Sequence, residues 1–180
     1  MKRFSRILLC LFLASCTGQA LQQTYDNQEK KIDSFVETQT KGKEDAHVEY
    51  NGGSVRLVIQ EGTGETVLSD KGTVSFYYAG YVFTGSTPSG SNLFATNRKE
   101  SADAAGWQLT DESVFAVTTV SLEEGNLIKG LQNGLIGVKE GEECWILFSG
   151  KYGYGKKAIG AVPSKSAQIY HIWIESISND

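Results

Sequence analysis

Between Gly72 and Phe83 the chain crowds five aromatic side chains into one stretch: Phe76, Tyr77, Tyr78, Tyr81 and Phe83. Aromatic side chains favour a pleated, half-buried backbone, so this stretch is a long strand candidate around which a sheet must form. The rest of the pattern agrees. From His47 onward the hydrophobic period is two. His47 to Tyr50, the turn Asn51-Gly52-Gly53, and Val55 to Glu61 read as a hairpin, because Asn-Gly supplies the positive φ values of a tight turn. Ser113 to Val120, Glu142 to Phe148 and Ala167 to Ile177 read as further strands. Leu127, Ile128, Leu131 and Leu135 instead recur at helical spacing and mark one short helix over Asn126 to Leu135. The expected architecture is α+β: an antiparallel sheet with one short helix packed across it. The chain has 20 Gly against 2 Pro, which suits tight turns between strands rather than a disordered Pro-rich chain.

The N-terminus reads differently. Lys2, Arg3 and Arg6 precede an apolar run from Ile7 to Ala14, too short to span a bilayer as a mature helix. The run ends in Leu13-Ala14-Ser15-Cys16, which resembles the bacterial lipobox. On that reading residues 1–15 are a lipoprotein signal peptide and Cys16 becomes the lipidated end, anchoring the chain to a membrane. A plain secretory signal is the alternative. Thr17 follows Cys16, and by resemblance to enterobacterial lipoproteins this favours the outer membrane, facing the periplasm. Residues 1–15 carry three cations and no anions, so their removal takes the net charge from -4 to about −7. With Cys10 removed and Cys16 lipidated, Cys144 is the remaining thiol, so no intramolecular disulfide is expected. Its apolar setting, Cys144-Trp145-Ile146-Leu147-Phe148, points to a buried structural thiol. Residues 16–46 form a linking region: Thr17 to about Gln28 is polar and reads as a tether. Residues 29–40 place Ile32, Phe35 and Val36 at helical spacing, a short amphipathic helix. It could pack on the domain or form a homodimer through a second subunit. The domain proper is 47–180.

Several chemistries are excluded. No basic run tracks a phosphate backbone, so nucleic acid is not an expected partner. With 2 His and 3 Cys, a His/Cys metal cage is not expected. Gly150 to Lys157 almost fits a phosphate-binding loop, but Lys157 stands where Ser or Thr must hold magnesium. No Gly-x-Ser-x-Gly elbow is present, and His171 lies inside a strand-like run, so a Ser/His/acid triad is not supported. Asp111-Glu112 and Glu142-Glu143 read as solvated strand entries. The long loop from Ser149 to Ser166 is a functional suspect.

Five segments line up in register with one family. They are Val74-Ser75-Phe76-Tyr77-Tyr78-Ala79-Gly80, Leu93-Phe94-Ala95-Thr96, Leu127-Ile128-Lys129-Gly130-Leu131, Tyr152-Gly153-Tyr154-Gly155, and Val162-Pro163 leading into Ile169-Tyr170. In this order, over roughly residues 55–178, they resemble the FKBP-type peptidyl-prolyl cis-trans isomerases. The resemblance implies a curved antiparallel sheet wrapped around one short helix, with an apolar pocket between them. It implies catalytic roles for Tyr78, Phe94, Ile128, Tyr154 and Tyr170, with Phe115, Leu127, Leu131 and Val162 lining the substrate pocket. The Tyr154 hydroxyl and the Ile128 backbone N–H would bond ligand carbonyls. No cofactor or metal is implied. The substrate would be an X–Pro segment of an unfolded or loop-like chain, and the role, assistance to the folding of exported proteins. The alternative is a non-catalytic FKBP-like binding or chaperone module at the cell envelope. Three departures stand out. Ala95 occupies a position usually held by Asp, Leu131 replaces the usual Trp floor, and a longer segment between Ala95 and Phe115 could carry Trp107 onto a flap near the pocket.

Overall fold

The structure, a computed structural model, describes residues 4–44 and 46–180, and of residues 4–17 only the backbone. The side chains of the expected export signal and of Cys16 therefore lie outside the described residues. A long helix, α1 (Phe4–Thr40), leads into the strands β1 (Val48–Asn51), β2 (Ser54–Gln60), β3 (Thr73–Val82) and β4 (Leu93–Thr96). A short helix α2 (Lys99–Ala104), a 3-10 turn (Glu112–Phe115) and β5 (Thr118–Ser121) follow. Helix α3 (Lys129–Leu135) then precedes β6 (Glu143–Phe148) and β7 (Gln168–Ser178). The strands form one sheet in the order β1-β2-β6-β7-β3-β4, with β5 also paired to β3. Every pairing is antiparallel.

The hairpin read from Asn51-Gly52-Gly53 is present: Asn51 pairs with Ser54, and both glycines have positive φ. Strand alternation then sorts side chains to two faces. On β6, Cys144, Ile146 and Phe148 join Tyr170, Ile172 and Ile174 of β7 in a core with Leu131 and Leu135 of α3. Helix α3 lies flush on this face because a Cβ at Gly130 would run into the Phe148 ring. Leu147 and Ile169 point the other way, into a second core with Ile32, Phe35 and Val36 of α1 and with Val55 and Phe83. The apolar face of residues 29–40, open at sequence level to the domain or to a second subunit, packs on the chain's own sheet. Phe35 stacks on Trp145 at 5.6 Å and meets Phe83 edge-on at 5.4 Å.

Several expectations change. The segment from Thr17 to Gln28, read as a polar tether, is helical and continuous with the amphipathic part. Its Tyr25 is buried, seven residues before Ile32 and on the same side. The strand expected from Ser113 starts at Thr118, since Asp111 accepts hydrogen bonds from both the N–H and the hydroxyl of Ser113 and winds a 3-10 turn. Asn126 to Ile128 are not helical: Ile128 is extended and caps α3. Glu142 is not solvated. It is buried beside Arg56 (3.4 Å) and accepts the Lys139 backbone N–H. Burial, opposed by Arg56, raises its pKa above the ordinary carboxylate value. Cys144 is a free, fully buried thiol, as its apolar neighbours indicated.

Candidate functional site

A cavity of about 330 Å³ opens between the sheet and the N-terminal end of α3. Its walls come from six places in the chain. Strand β3 contributes Phe76 and Tyr78, β4 contributes Phe94 and Ala95, and β5 contributes Thr118. Asn126, Leu127, Ile128 and Leu131 come from the approach to α3 and its first turn, Tyr154 from the long loop, and Tyr170 from β7. The period-two rule explains the pairings: Phe76 and Tyr78 share one face of β3, and Thr118 sits directly across from Phe76.

Tyr170 is the hub. Its ring stacks on Phe148 (5.9 Å), takes Phe94 edge-on (5.7 Å) and meets Tyr78 at 6.3 Å. Gly80 makes this approach possible: a Cβ there would lie 2.8 Å from Tyr170 and 2.9 Å from Phe94. The Tyr170 hydroxyl donates to Gln168 Oε1 at 3.4 Å. Burial, and then the adjacent Tyr154 hydroxyl, push the Tyr170 pKa far above its usual value. Tyr78 is raised for the same reasons in the same order. These phenols therefore stay neutral donors at any physiological pH. No Asp, Glu, Lys, Arg or His side chain lines the cavity. The Ile128 backbone N–H, at the mouth of α3, has no hydrogen-bond partner among the described residues. The site thus offers an aromatic slot, hydroxyls and, at Ile128, a backbone donor unpaired among the described residues.

Of the residues expected at this site, Tyr78, Phe94, Ile128, Tyr154, Tyr170, Leu127 and Leu131 are brought together. Phe115 is not. The 3-10 turn turns it to a separate cleft of about 470 Å³ with Tyr77, Arg98 and Trp173, where Lys99 lies 5.7 Å from its ring centre. Two of that cleft's charges are engaged, Arg98 with Glu100 and Lys99 with Glu112, and Glu175 also lines it. Val162 is also outside the pocket. It is buried and exchanges backbone hydrogen bonds with Ile159 inside the loop. Trp107 does not line the cavity either; the insertion winds instead into α2, and the Trp107 N–H bonds to the Ala102 carbonyl. Phe76, Thr118 and Asn126 were missed. Phe76 was legible as the residue two before Tyr78, and Asn126 as the neighbour of Leu127. Thr118 could be found only from the register of β5 against β3.

The family model described as FKBP-type peptidyl-prolyl cis-trans isomerase matches residues 64–175. "FK506-binding protein 1" of Aspergillus oryzae is 28% identical over 128 residues, covering 70% of this chain and 99% of that protein. "FK506-binding protein 2" of Aspergillus fumigatus is 34% identical over 62 residues, covering 33% of this chain and 46% of that protein. Among solved structures, the three FKBP domains of wheat FKBP73 align with a TM-score of 0.58 at 19% identity. That alignment spans 75% of this chain and 52% of the wheat chain, about half its length. FkpA from Escherichia coli aligns with a TM-score of 0.56 at 20% identity, over 99% of this chain and 73% of its own.

Proposed function

Since the chain belongs to the FKBP-type peptidyl-prolyl cis-trans isomerases, we propose that it rotates X–Pro bonds in the pocket beneath Tyr78, Phe94 and Tyr170. The chemistry asks for no base, nucleophile or metal. Resonance sets a barrier of about 18–20 kcal/mol to rotation about a peptide bond. At X–Pro the two isomers differ little in energy yet exchange slowly. The twisted transition state has lost the resonance that puts charge on oxygen and nitrogen. A water-poor, uncharged slot therefore favours it over the planar ground state. The Tyr154 hydroxyl and the Ile128 N–H fix the chain by its carbonyls while the proline ring rests among the aromatic rings.

The single observation that supports this most is the unpaired Ile128 N–H beside a cavity whose lining is aromatic and uncharged. Clients are X–Pro segments of unfolded or loop-like polypeptides. The basic head, apolar run and Leu13-Ala14-Ser15-Cys16 support export and lipid anchoring at Cys16, with the domain facing the periplasm from the outer membrane. The test is a protease-coupled assay on a proline tetrapeptide. Wild type should accelerate isomerisation, and Tyr154→Phe should lower kcat/KM about fivefold to tenfold, the worth of one hydrogen bond in a dry site. Wild-type rates in that variant would remove Tyr154 from the mechanism. Ala95 on the pocket wall, in place of the acid common in the family, favours a second reading: a non-catalytic binding or chaperone module. Proline-peptide affinity without rate acceleration would establish that one instead.

A further inference from the structure

Tyr154 is carried by a loop whose neck is closed from outside the family-matched segment. The Gly150 N–H donates to Gln28 Oε1 of α1 at 2.9 Å, and Gln28 Nε2 donates to the Lys165 carbonyl at 2.6 Å. Inside the loop, the Gly155 N–H donates to the Gly150 carbonyl (2.9 Å) and the Lys165 N–H to the Gly155 carbonyl (2.5 Å). These four bonds form a closed circuit: Gln28, Gly150, Gly155, Lys165 and back to Gln28. Each member accepts one bond and donates one, an arrangement in which the bonds polarise one another. Lys165 has φ 63, the positive φ found at no other non-glycine residue among those described. Such a backbone persists only where its surroundings hold it, and here both its N–H and its carbonyl are bonded within the circuit. Tyr154 is the residue immediately before Gly155. Next to the circuit, the Ser149 hydroxyl donates to Glu29 Oε1 at 3.0 Å, a second tie between α1 and the same neck.

We propose that Gln28 is a positioning residue for the pocket: its side-chain amide latches the neck of the 150–165 loop and thereby sets where the Tyr154 hydroxyl stands. The inference rests on the isomerase reading for its catalytic consequence and on the circuit alone for its structural one. Helix α1 is then part of the working site and not merely a spacer. The Gln28 amide is matched to its task, with an oxygen toward an N–H and a nitrogen toward a carbonyl. Glutamate keeps the first contact and sets a carboxylate against the Lys165 carbonyl.

The experiment uses the full chain with Gln28→Ala, Gln28→Glu and the control Gln22→Ala, whose side chain, among the described residues, bonds within α1 to Asp26. Kinetics on the proline tetrapeptide are read beside hydrogen exchange over residues 150–166. Both Gln28 variants should lose about threefold to tenfold in kcat/KM, and their loop amides should exchange faster, while Gln22→Ala matches wild type. In a Tyr154→Phe background, Gln28→Ala should cost nothing further, because the latch acts through that hydroxyl. Wild-type kinetics and unchanged loop exchange in both Gln28 variants overturn the latch. So does a full rate loss that persists in the Tyr154→Phe background. Absence of turnover in wild type defeats the isomerase reading. The latch then stands or falls on loop exchange alone, faster exchange in the Gln28 variants supporting it and unchanged exchange refuting it.

Discussion

Asn97 does the work of several residues. It is buried, and its side-chain oxygen accepts the Tyr78 N–H at 2.7 Å. Its amide nitrogen reaches the Phe76 carbonyl (3.2 Å), the Ala116 carbonyl (3.0 Å) and the Thr118 hydroxyl (3.1 Å). Phe76, Tyr78 and Thr118 all line the cavity, so one amide ties three of its lining residues, on β3 and β5, to the end of β4. Asn97→Ala should therefore destabilise the domain by about 2–3 kcal/mol, the cost of stranding buried backbone groups. A urea titration reads this directly, and a loss below about 0.5 kcal/mol would mean water replaces the amide. Nothing in the one-dimensional pattern singles out Asn97, because its partners are brought to it by strand pairing. Tyr78, Phe94, Tyr154 and Tyr170 were legible for the opposite reason: each lies in a local motif whose spacing survives without knowledge of the fold. Phe115 was misplaced because Asp111 and Ser113, two residues apart, make a turn that overrides a β-branched stretch.

Helix α1 shows what element-scale reading catches and misses. Ile32, Phe35 and Val36 declared an apolar face, and the structure buries all three. The polar stretch before them hid the helix's true length, although Ala20, Leu21, Gln22, Gln23, Gln28, Glu29, Lys30 and Lys31 are strong helix formers and Tyr25 extends the apolar stripe. Its polarity belongs to the solvent side of a helix that lies on the sheet. Burial on one stripe only is what a surface helix requires. Phe35 is the anchor, wedged between the Trp145 and Phe83 rings. Phe35→Ala should cost about 3–4 kcal/mol through lost transfer energy and the cavity left behind. It should also leave Trp145 more exposed, seen as a red-shifted, more readily quenched fluorescence. Equilibrium unfolding with the wild-type midpoint would place the helix off the sheet in solution. The strands were easier, because alternation persists along β6 and β7. The exception is Glu142, whose burial depends on Arg56 arriving from β2, an element distant in sequence.

For the whole molecule, two histidines on different parts of the sheet bias stability with pH in opposite directions. His47 stands beside the open end of the β1–β2 hairpin, bonded to Glu49 at 2.8 Å and Glu61 at 2.6 Å. The hydrogen bond to Glu49, then that to Glu61, raise its pKa above the ordinary 6.5. The folded chain then holds a proton that the unfolded chain releases. The contribution of His47 is complete below about pH 6.5 and disappears as pH climbs through the raised value. His171 lies in mid-strand on β7, bonded to Glu143 at 2.7 Å and packed at a tilt of 33° against Trp173 at 3.8 Å, with the Arg98 guanidinium also over that indole. Burial lowers its pKa, and Glu143 only partly opposes this. Here the unfolded chain binds the proton more readily. Its contribution is present above about pH 6.5 and is lost as pH falls through the depressed value. His47→Gln should therefore cost more stability at about pH 5 than at about pH 8, and His171→Gln the reverse. Urea midpoints of both variants, measured against wild type across that range, should give difference curves of opposite slope. Parallel curves would mean that the Glu143 bond outweighs burial at His171. Neither imidazole touches the pocket, and the raised phenols Tyr78 and Tyr170 are neutral throughout this range. On the proposed mechanism turnover should accordingly stay flat across the same pH values while stability tilts, because rotation in that proposal needs only an uncharged slot and the pH response resides elsewhere in the sheet.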